Sequence, residues 1–200
     1  DVDAVGLSDY GKPGNYFARQ LNRWTQQYRA SETERLESVE KLIAYLEQAL
    51  PEDDGQSCLV HGDFRLDNMM FAKGGDTIIA LLDWELSTLG HPYADLAYQC
   101  MQWRLPSSAA IPGLGDLDRE ALGIPSEAEY VSRYCERRGI EKIPHWEFYL
   151  AFSFFRLAAI LQGVYKRALD GNASNTAAKS LGSMTDPLAA MGVAVAEHGA

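Results

Sequence analysis

A short charged segment in the first half of the chain places the strongest constraint on the fold. It runs from Leu59 to Asn68, reads LVHGDFRLDN, and starts with apolar residues before His61, Asp63 and Arg65. No stripe of an amphipathic helix accounts for these charged side chains, whereas the stretches before and after them have a helical period. The chain must therefore hold a strand and a loop between helices, and we look for chemistry in that insert.

Apolar residues at helical spacing predict that most of the chain is α-helical. Phe17, Leu21, Trp24 and Tyr28 recur at four-three-four spacing, so each predicted helix has one buried stripe. The early helical stretches are residues 17–28 and 36–50, and the period returns from Pro92. Later helices are predicted from a Ser126–Glu129 capping box to about Arg138, from a first-turn Pro144 to near Gly171, and from about Asn175 towards Glu197.

Three short segments predict strands inside the insert. They are Cys58 to Val60, Met69 to Phe71 and Thr77 to Leu82, with Gly74-Gly75 as a hairpin-like reversal between the last two. Glycine and proline at high density predict a loop from Pro106 to Pro125. The sequence thus predicts one domain over residues 1–200, of the α+β class and mainly helical, with a small strand and hairpin insert.

Composition narrows the class of partner. The formal charge is −10 and the pI is about 4.8, which argues against nucleic acid, because phosphate backbones are bound by clustered Lys and Arg. The three cysteines, Cys58, Cys100 and Cys135, form no CxxC pair, so we expect reduced thiols and a cytoplasmic location. We expect no apolar run to reach the ~18 residues of a membrane span, and the polar start is unlike a signal peptide. We therefore expect no membrane partner.

The insert has the spacing of a phosphoryl-transfer site. His61, Asp63 and Asn68 match the kinase catalytic-loop order of His, any residue, Asp, four residues and Asn. Asp83 follows fifteen positions after Asn68, at the end of the predicted strand. A carboxylate at Asp63 can orient an acceptor hydroxyl and accept its proton. Mg²⁺ prefers oxygen ligands, so Asn68 and Asp83 can hold it against the nucleotide phosphates.

These motifs resemble those of the aminoglycoside and choline kinase group, which has a protein-kinase-like fold. HGDFRLDN and LLDWE are especially similar to the phosphotransferase domains associated with acyl-CoA dehydrogenases, and the similarity continues through HPYADLA. The resemblance implies the C-terminal lobe of that fold, ATP as phosphoryl donor and Mg²⁺ as cofactor. It also implies that Asp95, opening the next helix, braces the catalytic loop by hydrogen bonds. GTP remains an alternative donor.

One part of the kinase-like pattern is missing from this chain. No Gly-rich strand-turn with a following strand lysine precedes Asp63, where only Lys12 and Lys41 occur. We infer that the N-terminal, nucleotide-covering lobe is absent from this chain and must be supplied for full activity. The oligomeric state stays open, a homodimer included.

Several side chains near the motif have two interpretations. His61 is either a general base or, as we favour, a packed residue that orders the loop. Glu85 and Asp67 are either further contacts to Mg²⁺ or to substrate, or solvated charges. Arg65 either meets phosphate or an anionic substrate, or forms a salt bridge within the loop. Arg156 either packs its stem and extends its charge into water, as we favour, or reaches into the substrate cleft as an anion contact.

The predicted function is ATP- and Mg²⁺-dependent phosphorylation of a hydroxyl group on a small molecule. Acidic composition favours a cationic amino-sugar or choline-like acceptor, whereas the resemblance to the dehydrogenase-associated domains favours a hydroxylated acyl compound, and we give the second more weight. One alternative is a metal-dependent hydrolase with His61, Asp63 and Asp83 as ligands. Another is a non-catalytic kinase-like module that regulates or binds a partner.

Overall fold

The computed structural model describes residues 2–172 and 178–199. The helices are α1 Tyr16–Ser31, α2 Glu37–Gln48, α3 Tyr93–Met101, α4 Glu127–Arg138, α5 Trp146–Leu169, α6 Ala178–Gly182 and α7 Thr185–His198. The strands are β1 Cys58–Val60, β2 Met69–Phe71, β3 Ile78–Leu81 and β4 Thr88–Gly90. Single 3₁₀ turns lie at Leu66–Asn68 and Trp84–Leu86.

Helix α5 is the centre of the core. It packs against α1, α2, α3, α6 and α7, and its residues from Phe148 to Ala159 are buried without interruption. The stripe predicted for α1 is confirmed in part, since Phe17, Leu21 and Tyr28 are buried whereas Trp24 is only half-buried. Because α5 is surrounded by other helices, it provides a rigid support on which the insert can rest.

The same helix corrects one expectation from the sequence. By length and apolar composition, α5 is long enough to cross a membrane, with a mean hydropathy of 1.4 over its most apolar window. The expectation that no apolar run approaches this length was therefore wrong. In the fold, 72% of that window is buried inside the protein, which is how the core helix of a globular domain also behaves.

Local signals located the ends of α4 accurately. The Ser126 hydroxyl accepts a hydrogen bond from the Glu129 backbone N–H, and the Glu129 carboxylate accepts one from the Ser126 N–H. This capping box satisfies donors that the first helical turn leaves open. The preceding loop from Pro106 to Pro125 contains no helix or strand, as predicted.

The strands form two separate antiparallel pairs. β1 pairs with β4, and β2 pairs with β3 across the Gly74-Gly75 reversal. The loop between β1 and β2 carries the motif, and the segment after β3 returns to β4. Strand β4, Thr88–Gly90, was not predicted.

Two helix boundaries differ from the prediction. The C-terminal helix expected as one element is two, since a turn at Ser183 and Met184 separates α6 from α7. Its expected start near Asn175 lies outside the described residues. Pro144 is not in the first turn of α5, because His145 is the N-cap and the helix begins at Trp146.

Candidate active site

The motif loop begins with a turn that only glycine fits. Gly62 has a φ of 84°, in the left-handed region, and a Cβ on it would lie 2.5 Å from the Leu86 carbonyl oxygen. Glycine has no Cβ and adopts such a φ at little cost. The backbone therefore turns sharply between His61 and Asp63 while staying in contact with the segment that leads into β4.

Asp95 holds this turn through hydrogen bonds to its backbone. Its carboxylate accepts hydrogen bonds from the His61 N–H at 2.7 Å and from the Gly62 N–H at 2.9 Å. The pKa of Asp95 is raised, because the effect of burial exceeds the lowering by the two backbone hydrogen bonds and by the Arg156 charge. Because Asp95 is in the first turn of α3, its position is set by a helix that packs directly on α5. This is the bracing contact that the family resemblance implied.

His61 is packed within the protein. Its side chain is buried, with 3% of the residue exposed, and its ring lies 4.6 Å from the Trp84 ring. The Nε2 atom lies 2.8 Å from the Leu82 carbonyl oxygen, and Nδ1 accepts a hydrogen bond from the Asp63 N–H at 3.3 Å. Both ring nitrogens are thus engaged inside the loop, which favours the ordering role over the general-base role.

Asp63 and Asn68 are joined by their side chains. The Asn68 Nδ2 group donates to the Asp63 carbonyl oxygen at 2.8 Å and to its carboxylate at 3.0 Å. The 3₁₀ turn Leu66–Asn68 brings Asn68 back towards Asp63. Since the amide nitrogen is used in this way, the amide oxygen is the end that can bind a metal ion.

The β2–β3 hairpin brings the residue before Asp83 into contact with Asn68. The Leu82 N–H donates to the Asn68 carbonyl oxygen at 2.9 Å, which extends the ladder by one step beyond the pairing of Met69 with Leu81. Asp83 is exposed and has a φ of 64°. Glu85 is also exposed, within the next 3₁₀ turn.

The donor set fits Mg²⁺. Across residues 2–172 and 178–199, no three His, Cys, Asp or Glu side chains are grouped closely enough to hold a metal ion. Mg²⁺ is usually bound through one or two carboxylates together with substrate phosphates, and it keeps several waters. An amide oxygen from Asn68 and a carboxylate from Asp83 match that pattern, with Glu85 nearby on the same turn.

The two arginines are placed differently from each other. Arg65 forms an ion pair with Asp67 within the loop, which is the salt-bridge interpretation. Arg156 does not extend its charge into water as we expected. It is 9% exposed, and its Nη2 donates to the Gly62 carbonyl oxygen. The packing of α5 against both α1 and α3 covers most of this side chain.

Tyr98 is a residue of the site that sequence reasoning missed. It is 6% exposed, and its ring centroid lies 5.0 Å from the Arg156 guanidinium. Burial raises the pKa of Tyr98, Arg156 lowers it, and the neighbouring Asp63 carboxylate raises it further. One signal in the sequence could have found it, because Tyr98 follows Asp95 by three residues and so shares its helix face.

Comparisons with known proteins identify the family of this chain. The model of the phosphotransferase enzyme family matches residues 1–148. The chain is 50% identical over 190 residues to acyl-CoA dehydrogenase family member 10 of Mus musculus, covering 94% of this chain and 18% of that protein. It is 39% identical over 199 residues to acyl-CoA dehydrogenase family member 11 of Homo sapiens, covering 99% of this chain and 25% of that protein. The chain thus spans a quarter or less of the length of these two relatives.

A comparison with a crystal structure supports the predicted fold. The structure is of a protein from Ralstonia eutropha JMP134 provisionally assigned as an aminoglycoside phosphotransferase. It matches with a TM-score of 0.93 and 49% sequence identity, over 98% of this chain and 60% of that one. The predicted α+β, mainly helical fold of a kinase-like C-terminal lobe is therefore confirmed, as is the resemblance to the domains of the acyl-CoA dehydrogenase relatives. The chain belongs to the phosphotransferase enzyme family.

Proposed function

We propose that this chain is the catalytic lobe of an ATP- and Mg²⁺-dependent kinase that phosphorylates a hydroxyl group of a small molecule. The observation that carries the proposal is the joined pair of Asp63 and Asn68, held from α3 by Asp95 and brought by the hairpin into contact with the residue before Asp83. Phosphoryl transfer depends mainly on positioning and charge stabilisation. This arrangement supplies both with few side chains.

Each residue has a distinct role in the proposed reaction. The Asp63 carboxylate orients the acceptor hydroxyl and accepts its proton. Its contact with Asn68 Nδ2 fixes the direction in which the carboxylate points. The Asn68 amide oxygen and the Asp83 carboxylate would hold Mg²⁺, with Glu85 as an additional candidate ligand. When bound, the ion offsets the negative charge that spreads over the transferred phosphoryl group.

The acceptor that we propose is a hydroxylated acyl compound. The support comes from the curated relatives, which are named as acyl-CoA dehydrogenases. The formal charge of −10 is the argument for a cationic acceptor, but net charge also reflects solubility alone. We further propose a cytoplasmic location, which the three free cysteines support.

An N-terminal lobe belongs to the proposal. Large apolar side chains are exposed on the hairpin and around the motif, namely Leu66, Met70, Phe71, Ile78, Ile79, Leu82, Trp84 and Leu86. Exposed apolar clusters of this kind mark surfaces that another part of a protein covers. The related bacterial protein is long enough to include such a lobe, because this chain covers 60% of it.

The hydrolase alternative has less support. It requires His61 as a ligand, yet both ring nitrogens of His61 are engaged with the Leu82 carbonyl and the Asp63 N–H. A metal ligand needs a free nitrogen lone pair. The regulatory alternative is tested by measuring whether the protein binds ATP with Mg²⁺ and transfers its phosphoryl group.

The first test uses the complete natural chain that carries these residues. Calorimetry with ATP and Mg²⁺ is expected to show binding that Asp83→Ala abolishes. Asp63→Asn is expected to keep binding within about twofold while phosphoryl transfer falls by about 10²- to 10⁴-fold, since general-base catalysis contributes that much. Transfer is measured with hydroxylated acyl compounds and with amino sugars as acceptors.

The matched control is Asp76→Asn, which makes the same charge change at an exposed position in the turn of the β2–β3 hairpin. It is expected to leave both binding and transfer unchanged. If Asp63→Asn transferred phosphate as fast as Asp76→Asn, the role of Asp63 would be wrong. If the unmutated protein bound no ATP with Mg²⁺ present, the regulatory alternative would gain support.

A further inference from the structure

Arg156 is a buried charge that the proposed reaction does not use. It lies on α5 within an apolar run and is 9% exposed. A buried arginine is costly unless its charge and its N–H groups are satisfied. Packing alone therefore does not explain why a charged side chain lies in the core next to the motif loop.

The guanidinium group lies within cation–π distance of two aromatic rings. Its central carbon lies 5.6 Å from the Trp24 ring centroid on α1 and 5.0 Å from the Tyr98 ring centroid on α3. Such cation–π contacts stabilise a desolvated cation and fix the plane of the group. Three helices thus determine where the Arg156 N–H groups point.

One of those N–H groups points at the motif loop. Arg156 Nη2 donates to the Gly62 carbonyl oxygen, which belongs to the peptide group that joins Gly62 to Asp63. The N–H of the same peptide group donates to His61 Nδ1 at 3.3 Å. On the other side of Gly62, its own N–H donates to Asp95. Arg156 and His61 therefore fix both ends of the peptide plane that precedes the Asp63 side chain.

We propose that Arg156 is a positioning residue, which orients the Gly62–Asp63 peptide group from the core helix α5 and thereby aims the Asp63 carboxylate. This inference rests on the proposed function of Asp63. In this proposal Arg156 acts on the reaction only through the loop, by its hydrogen bond to the Gly62 carbonyl oxygen. Tyr98 contributes as the ring on which the guanidinium group lies.

The kinetic test separates aiming from binding. In the complete chain, Arg156→Ala is expected to lower kcat for transfer from ATP by about 10²-fold, since a misplacement of about 1 Å can cost that much. The KM for Mg-ATP is expected to stay within about twofold, because Asn68 and Asp83 lie at the open end of the β2–β3 hairpin, where the Leu82 N–H still bonds to the Asn68 carbonyl oxygen. Added guanidinium ion at low millimolar concentration is expected to restore part of kcat by occupying the space that Arg156→Ala leaves.

A conservative variant covers the case in which Arg156→Ala does not fold. Arg156→Lys keeps the charge but lacks the planar group that contacts both rings and donates in a fixed direction. We expect about a tenfold fall in kcat, intermediate between the wild type and Arg156→Ala. Hydrogen exchange of the amides from His61 to Asn68 is expected to become faster in Arg156→Lys, whether or not an acceptor has been identified.

Arg104→Ala is the matched control, because Arg104 is a partly buried arginine whose guanidinium pairs with Glu127 on α4. It is expected to change neither the exchange of residues 61–68 nor the response to guanidinium ion. Unchanged kcat in Arg156→Lys, with or without faster exchange, overturns the positioning role, as does an equal fall in Arg104→Ala. A wild-type protein with no transfer at all refutes the proposed function instead, and the exchange result then still reports whether Arg156 orders the loop.

Discussion

Gly62 is the residue at which the geometry of the site is most restricted. Its φ of 84° and the 2.5 Å that would separate a Cβ at this position from the Leu86 carbonyl oxygen are independent constraints. The sequence motif identified Asp63 and Asn68 because their spacing is local. It did not identify the contact of Arg156 with Gly62, since the two residues are 94 positions apart and only the packing of α5 brings them together.

The two constraints on Gly62 can be measured separately. Gly74 also has a positive φ, 77°, but a Cβ there would meet nothing within 4 Å. Gly74→Ala is expected to lower the free energy of unfolding by about 1–2 kcal/mol, the cost of left-handed backbone for a residue with a Cβ. Gly62→Ala is expected to lower it by about 3 kcal/mol, because steric overlap adds to that cost. Urea unfolding gives both values, and equal losses would show that the approach of Leu86 relaxes freely.

At the scale of elements, α5 does more than fill the core. Gln162, 3% exposed, donates from Nε2 to the Ser31 carbonyl oxygen at 2.8 Å and to the Thr33 hydroxyl at 3.1 Å. It thereby satisfies a carbonyl at the C-terminal end of α1, where helices lack internal partners. The capping box of α4 could be predicted because its residues are three apart. The Gln162 contact could not, since it joins α5 to α1 across the fold.

We expect Gln162→Met to destabilise the protein by about 2 kcal/mol. The substitution keeps the length of the side chain but leaves a buried carbonyl without its donor, and an unsatisfied buried polar group costs about 1–3 kcal/mol. The control is Gln26→Met, an exposed position on α1 where the Gln26 side chain donates to Asn22 of the same helix. It is expected to change the unfolding midpoint little. A similar midpoint for both variants would contradict the proposed role of Gln162.

At the scale of the whole molecule, the reactivity of the cysteines reports on how accessible the core is to solvent. Cys100 and Cys135 are buried and Cys58 is half-buried, and all three are free. Burial raises the pKa of the Cys100 thiol far above its usual range, and it raises the pKa of Cys58 as well. Because the thiolate is the reactive form, both effects slow alkylation.

We expect iodoacetamide to label Cys58 slowly in the native protein and to leave Cys100 and Cys135 unlabelled. Addition of urea through the unfolding transition is expected to make all three react together, since the buried pair becomes accessible only when the core opens. Raising the pH is expected to speed the labelling of Cys58 as more of it becomes thiolate. Peptide mass spectrometry resolves the three sites. Labelling of Cys100 at the rate of Cys58 without urea would show local opening beside α3.

Under the proposed function, the stability of the β2–β3 hairpin controls the apparent affinity of the protein for the nucleotide. Within residues 2–172 and 178–199 its strands pair only with each other, and Met70, Phe71, Ile78 and Ile79 are exposed on it. Two-stranded hairpins are of marginal stability by themselves, and the proposed metal ligands stand at the end of this one. Apparent affinity then scales with the fraction of molecules in which the hairpin is paired. Covering the hairpin so that this fraction rises from about a tenth to nearly one would tighten binding about tenfold without adding a contact to the nucleotide.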